Sequence, residues 1–346
     1  MDTVMKRRDF LGGAAATGLT AASLATASPA AAQSYADVNA LGYKDLNYRS
    51  FSSLGPSRNV GVMGYNFGLV FQSGLGAMAS GNNVQVSSAV QLTGMTVELM
   101  QTIAAKAQAD LVAQLAQAGI DRPLLTTEQM HATQGFQALK SSAIPFRKQP
   151  VADARRVVMV PPTGQGLYLT AVDNPLTDKS PFDQASVKSL HMIGMELDAV
   201  ILIPTLVIDV AHLTRSGNSI YSGGASVSVD PGLYMVELFS GLNVYHARNK
   251  IAGDGGRGAL QKRVRLGQAG QLVESSSYSN RDEVAWWNSR VNSGMAAPGD
   301  SGPTFAYAHN TYQYVADPTL FQMRALAGAS ALNRACVQAV SQFKKA

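Results

Sequence analysis

Apolar residues recur at helical spacing in three long stretches of the chain. Over residues 89–118, Leu92, Met95, Leu99, Ile103, Ala107, Leu111 and Leu115 fall three or four apart and make one stripe, which predicts an amphipathic helix packed on one side. Ser87 or Ser88 is placed to cap its start and Gly119 to end it. A second helix is predicted from Ser180, read as the N-cap, with Pro181 at the first helical position and Asp183 three after the cap. Val187, Leu190, Gly194 and Leu197 then form its apolar face. The third helix runs over residues 318–343, with Leu320, Met323, Ala327, Ala331, Ala335 and Val340 on its inner stripe. A short strand over residues 124–126 and a shorter helix lie between the first two.

Elsewhere the pattern is that of strands. "SRNVGVMGYNFGLVFQSG" is rich in Val, Phe and Tyr and is followed by "GLGAMASGNN", which reads as a Gly/Asn loop. "ARRVVMVPPTG" is a further apolar strand ending at a Pro/Gly break. Ala199-Val200-Ile201-Leu202-Ile203 is continuously apolar, as in a strand covered on both faces, and Pro204 beyond it points to an edge or a bulge. From Asn218 the period is two, with turns read at Asp230-Pro231-Gly232 and at "GDGGRG" and strands in "ALQKRVRLG" and "GQLVESSSY". That is an antiparallel meander. The order predicts an α/β (α+β) fold, a mixed and largely antiparallel sheet covered by helices, with residues 33–56 an irregular lead-in and 57–346 one domain.

The N-terminus changes the picture from fold to address. Arg7-Arg8-Asp9-Phe10-Leu11 resembles the twin-arginine export signal, Arg-Arg-x-Phe-Leu. An uncharged Ala-rich run follows, and Ala30-Ala31-Ala32 offers a small-residue cleavage site before Gln33. Residues 1–32 therefore read as a signal peptide that carries a folded protein to the bacterial periplasm. No other stretch approaches the roughly 18 uninterrupted apolar residues of a membrane helix, so the mature chain is expected to have no stable membrane span.

Composition excludes more than it identifies. The 346 residues carry 28 Lys and Arg against 23 Asp and Glu, a net charge of +5, with 46% hydrophobic residues. The basic residues are dispersed, whereas nucleic-acid binding wants a clustered stripe. Lys262-Arg263-Val264-Arg265, the nearest approach, reads as a strand with exposed alternate charges. The single cysteine, Cys336, has no partner for a disulfide and falls in an apolar helical pattern, as a small core residue does. His131, His191, His212, His246 and His309 are isolated in sequence, so no metal site is expected. Gly253, Gly255 and Gly258 spell Gly-x-Gly-x-x-Gly, but the alternation after them is that of a strand. A dinucleotide site needs a helix there, so no cofactor is expected.

Two motifs remain. Gly299-Asp300-Ser301-Gly302-Pro303 resembles the nucleophile loop of trypsin-like serine proteases with one glycine missing. Ser301 needs a base, and His212, after Ala211, or His309 is the candidate. Helical segments occupy the region upstream of His212 where a first barrel should lie. A Gly/Pro turn is therefore the favoured reading, with a secreted serine hydrolase as the alternative. Trp286, Trp287, Phe305, Tyr307, His309, Tyr312 and Tyr314 either form a stacking platform for sugar or peptide or close the core against the last helix, and the core reading is favoured.

The segment "VELMQTIAAKAQADLVAQLAQAGIDRPLLTTEQMHATQ", with Glu128-Gln129 opening a helix, and "GMELDAVILIPTLV", a helix leading into a buried strand, resemble elements of the curli-secretion lipoprotein group. The resemblance implies an α/β domain of a bacterial envelope assembly protein, with no catalytic residues to transfer. That family is anchored by a lipidated N-terminal cysteine, and the cysteine here is Cys336. The resulting expectation is an exported, non-enzymatic periplasmic protein that binds envelope proteins, itself included as a homo-oligomer. An oligomeric outer-membrane pore is a further alternative, with residues 225–229 and 233–239 as membrane hairpins.

Overall fold

The computed structural model describes residues 35–49, 58–79, 84–119, 123–149, 154–170, 173, 176–177, 185–216, 226–246, 256–295 and 306–343. Its strands are β1 (Leu46–Arg49), β2 (Asn59–Val62), β3 (Asn66–Ala79), β4 (Val84–Thr93), β5 (Phe146–Lys148), β6 (Arg156–Val160) and β7 (Ala199–Ser216). They continue with β8 (Ser226–Met235), β9 (Gly241–His246), β10 (Gly256–Leu260), β11 (Val264–Gly267), β12 (Gly270–Ser279) and β13 (Ala306–Ala316). The helices are α1 (Val97–Gln117), α2 (Thr127–His131), α3 (Gln134–Ala138), α4 (Ala185–Glu196), α5 (Arg281–Asn292) and α6 (Pro318–Phe343). All the strands join one mixed sheet whose main path runs β1-β10-β9-β7-β3-β4-β13-β12, with β2 and β8 also on β7, β6 on β3, β5 on β6 and β11 on β8. The α/β reading with a largely antiparallel sheet covered by helices describes this architecture. No helix among the described residues is long and apolar enough to cross a membrane.

The run from Ala199 is the spine of the sheet. Val200, Leu202, Leu206 and Ile208 join the core beneath α1 and α6, while Ile201 and Ile203 pack with Val187, Leu190 and Ile193 of α4 on the other face. Covering on both sides is what a continuous apolar strand requires. Pro204 nevertheless lies inside the sheet, paired with Leu242, and not at an edge. Its neighbour on the opposite side changes there: Leu202 is the last residue paired with β2 and Thr205 the first paired with β3. The missing N–H thus falls at a break in the ladder.

Tertiary pairing also overrides several local signals. The predicted helix over 89–118 begins only at Val97, capped by the Thr96 hydroxyl, which accepts from Leu99 N–H at 3.2 Å. Residues 84–93 are β4 instead, held between β3 and a parallel β13. Val90 and Leu92 are buried from that strand, so Leu92, read as the first position of the helical stripe, belongs there to a spacing of two. The helix keeps the rest of its stripe, with Ile103, Ala107, Leu111 and Leu115 buried, and ends just before Gly119, whose φ is +58°. "GLGAMA" belongs to β3 and not to a loop. The lead-in contains β1, which pairs with β10. α6 matches its predicted span and keeps Ala331, Ala335 and Val340 of its stripe buried, but Met323 is 55% exposed and Phe321, Ala325 and Leu332 are buried besides. Cys336 sits in that core as expected, and burial pushes its thiol up to about 12.

Asp230-Pro231-Gly232 does not turn. β8 runs straight through it, and β7 shifts register opposite it, between Asp209 and Ala211. A bulge is where a strand tolerates proline, and Gly232 adopts a φ of +150° that side chains rarely allow. Residues 226–229 and 233–235 are therefore parts of one strand. The later strands do not form a sequential meander, because β8 pairs with β7 and β11, and β9 with β7 and β10. Gly258 stands within β10, a strand and not a helix start, as its alternation predicts.

Candidate functional site

The bulge in β8, opposite Asp209–Ala211 of β7, gathers a set of ionisable side chains. Asp209 lies opposite Tyr234, and His212 lies opposite Asp230. On the far side of β8, β11 sets Arg265 beside Tyr234. The N-terminal segment closes over this group: Ala36 bridges to Val264, and its N–H donates to the Arg263 carbonyl at 3.2 Å. That contact delivers Tyr35. Its ring packs 5.2 Å from Tyr234 and 5.7 Å from His212, centroid to centroid.

A hydrogen-bonded chain links these residues. The Tyr35 hydroxyl donates to Asp230 Oδ2 at 3.0 Å and lies 2.9 Å from His212 Nδ1. Because its one hydrogen is committed to the carboxylate, the network assigns the His212 proton to Nδ1, donating to the tyrosine oxygen. Arg265 Nη2 holds the other carboxylate oxygen of Asp230 at 3.3 Å. Burial, with the nearby Arg263 charge, lowers the His212 pKa below that of a free imidazole. His212 is thus neutral at pH 7, with its lone pair on Nε2.

The rest of the cluster is set by the same balance. Asp209 is 1% exposed and accepts the N–H groups of Val210 at 2.8 Å and Ala211 at 3.4 Å. Burial raises its pKa to about 6 against the opposing pull of Arg263 and Arg155. Burial also pushes Glu237 upward, but the Arg263 guanidinium, with Nε 2.8 Å from Oε2, outweighs it and holds the carboxyl below its usual value. Arg263 is therefore largely buried, contrary to the exposed strand charge that alternation suggests. Its guanidinium carbon and that of Arg265 each lie 5.9 Å from the centre of the Tyr234 ring.

Orientation of a neutral histidine by a carboxylate is part of what a general base needs. The proposed nucleophile Ser301, with its loop, lies outside the described residues, as do Arg7, Arg8, Phe10, Leu11, Ala32 and Gln33. Ser180, Pro181, Asp183, Gly253, Gly255 and Phe305 fall outside them too. His309, the other candidate base, is engaged at both nitrogens, by Ser87 Oγ at 2.8 Å and Thr311 Oγ1 at 3.1 Å. His131 stacks on Phe136, and His191 meets Tyr245 edge-on. No group of three His, Cys, Asp or Glu side chains among the described residues is placed to hold a metal.

The C-terminal aromatics divide by strand alternation. Tyr314 is fully buried, and Tyr312 packs against the same core beneath α1 and α6. Tyr307 and His309 point to the opposite face of the sheet, with Tyr278 of β12 paired to His309. Trp286 of α5 is 59% exposed. The core reading holds for Tyr312 and Tyr314 and not for Trp286, Tyr307 and His309.

β12 ends the sheet. It pairs with β13 on one side, and no other strand among the described residues pairs with its second side. Natural edges of this length are usually blunted by several charges or a proline. Here the ten residues carry one charge, Glu274, and one register shift beside it, with Val273 48% and Tyr278 55% exposed. Sequence reasoning missed both this edge and the His212 cluster. The available signal for the cluster was Asp209, the one acidic residue in the apolar run from 199 to 213. Comparison with protein-family models, with curated proteins and with solved structures finds no match.

Proposed function

We propose that this chain is an exported periplasmic protein that acts by binding, assembling with envelope proteins and with copies of itself. The observation that carries the reading is the outer side of β12, which no strand among the described residues pairs, a row of backbone donors and acceptors suited to strand addition. The twin-arginine pattern at Arg7-Arg8 supports the location. Lysines at Ser275 and Ser277 would place charge along this edge without touching the core, since both residues are exposed. Disulfide trapping or cross-linking from Ser277 in intact cells should give a discrete adduct containing a second copy. The same reaction from Gln261, exposed elsewhere in the chain, should not.

The chain from His212 through Tyr35 to Asp230 favours a second reading, a hydrolase in which His212 activates Ser301. Turnover of generic ester or peptide substrates that disappears in both Ser301→Ala and His212→Ala would establish it over the binding reading.

A further inference from the structure

The face of β4, β13 and β12 turned away from α1 and α6 is uncharged. Pairing sets Gln85, Ser87, Ala89, Gln91 and Thr93 of β4 beside Tyr307, His309, Thr311, Gln313 and Val315 of β13. The register with β12 adds Gln271, Val273, Ser276 and Tyr278. No Asp, Glu, Lys or Arg occupies any of these positions. The surface is open: Gln91, Gln271 and Gln313 are exposed, and Val315 is 46% exposed.

Three rings close one end. Tyr278 and Tyr307 lie 6.0 Å apart, and Tyr307 and His309 lie 6.4 Å apart with their planes only 14° from parallel. His309 is fixed in that attitude from both sides by Ser87 and Thr311, so the platform is ordered before any ligand arrives. Tyr307 is pinned independently, its N–H donating to the Asn280 side chain.

We infer that this face is a binding site for a neutral glycan chain. Sugar rings present an apolar C–H face that stacks on aromatic rings, and hydroxyls that both donate and accept. Primary amides and hydroxyls are the side chains that can do both in return. A nucleic acid would call for Lys and Arg, and an anionic polymer for the same. A protein interface would call for a desolvated apolar centre, whereas here Thr311 and Ser276 stand in the middle row and the paired Gln91 and Gln313 beside it. The inference goes beyond assembly through the β12 edge, because it uses side chains of the face and not the strand's free backbone.

The test is titration of the full-length protein with cellohexaose, maltohexaose and chitohexaose, followed by calorimetry and by tyrosine fluorescence. At least one neutral hexasaccharide should bind. Its affinity should change less than about 2-fold between 50 mM and 500 mM salt, since the face offers no charge to screen. Tyr278→Ala and Tyr307→Ala should each weaken binding about 5- to 10-fold. Ser275→Lys/Ser277→Lys, which alters the edge, should leave glycan affinity unchanged even where self-association is lost. Failure of all three sugars to bind would overturn the inference. So would binding that survives the double tyrosine variant, or binding that falls steeply with salt.

Discussion

The cluster around His212 and the outer face of β4–β13–β12 are both made from alternate residues of paired strands, yet they solve the same problem differently. The cluster is charged and covered. Asp209 is buried, Arg263 is committed to Glu237, and Tyr35 lies over His212 and Asp230. The outer face is uncharged and open, its amides left to water. Buried charge requires partners and responds to pH, whereas neutral exposed polarity costs little and stays available for a ligand. Polarity in the first region holds the sheet and the N-terminal segment together; in the second it is free for recognition.

Substitutions in the two regions should therefore differ in kind. Arg263→Ala should have the largest effect, because it strands Glu237 and removes a positive charge that favours ionised Asp209: a loss of about 3 kcal/mol in denaturant unfolding at pH 7. Asp209→Asn should act in the opposite direction. Its folded pKa of about 6 lies above the unfolded value of 3.8, so the folded state holds the proton more tightly and stability falls as pH rises between those values. The amide removes this cost while retaining an acceptor for Val210 and Ala211. A gain of about 1–2 kcal/mol at pH 7, shrinking toward zero near pH 4, is the expected result in thermal melts across that range. His212 has the reverse sign: its lowered pKa stabilises above the free value and the contribution is lost as pH falls through the folded value. Acidification from pH 7 should consequently destabilise Asp209→Asn more than the parent protein.

Tyr35→Phe should cost about 1 kcal/mol, the usual net worth of a hydrogen bond. It should also release the N-terminal segment to faster amide exchange at Ala36. Tyr307→Ala on the outer face should have the smallest effect, under about 0.5 kcal/mol. A loss above 2 kcal/mol there would show that the face is structural and erase the contrast.

Helices were legible where one periodicity held without competition. Residues 97–117 and 318–343 fit the helical spacing, and both are helices. Leu92 fits the helical stripe through Met95 and a strand through Val90, and the choice fell to β13, more than 200 residues away. Asp230-Pro231-Gly232 carries every local mark of a turn, yet a bulge in β8 absorbs it. The site was legible only in parts. His212 stood out as a histidine, but nothing local indicates that Tyr35, 177 positions earlier, reaches it. The split of Tyr307 from Tyr314 was present as odd and even positions. Which parity faced the core depended on where α1 and α6 lie.

Sedimentation velocity over a range of protein concentrations tests the central claim most directly. The account predicts a concentration-dependent oligomer that Ser275→Lys/Ser277→Lys returns to the monomer without loss of fold. A monomer at every concentration, or an oligomer indifferent to lysines on β12, would contradict it.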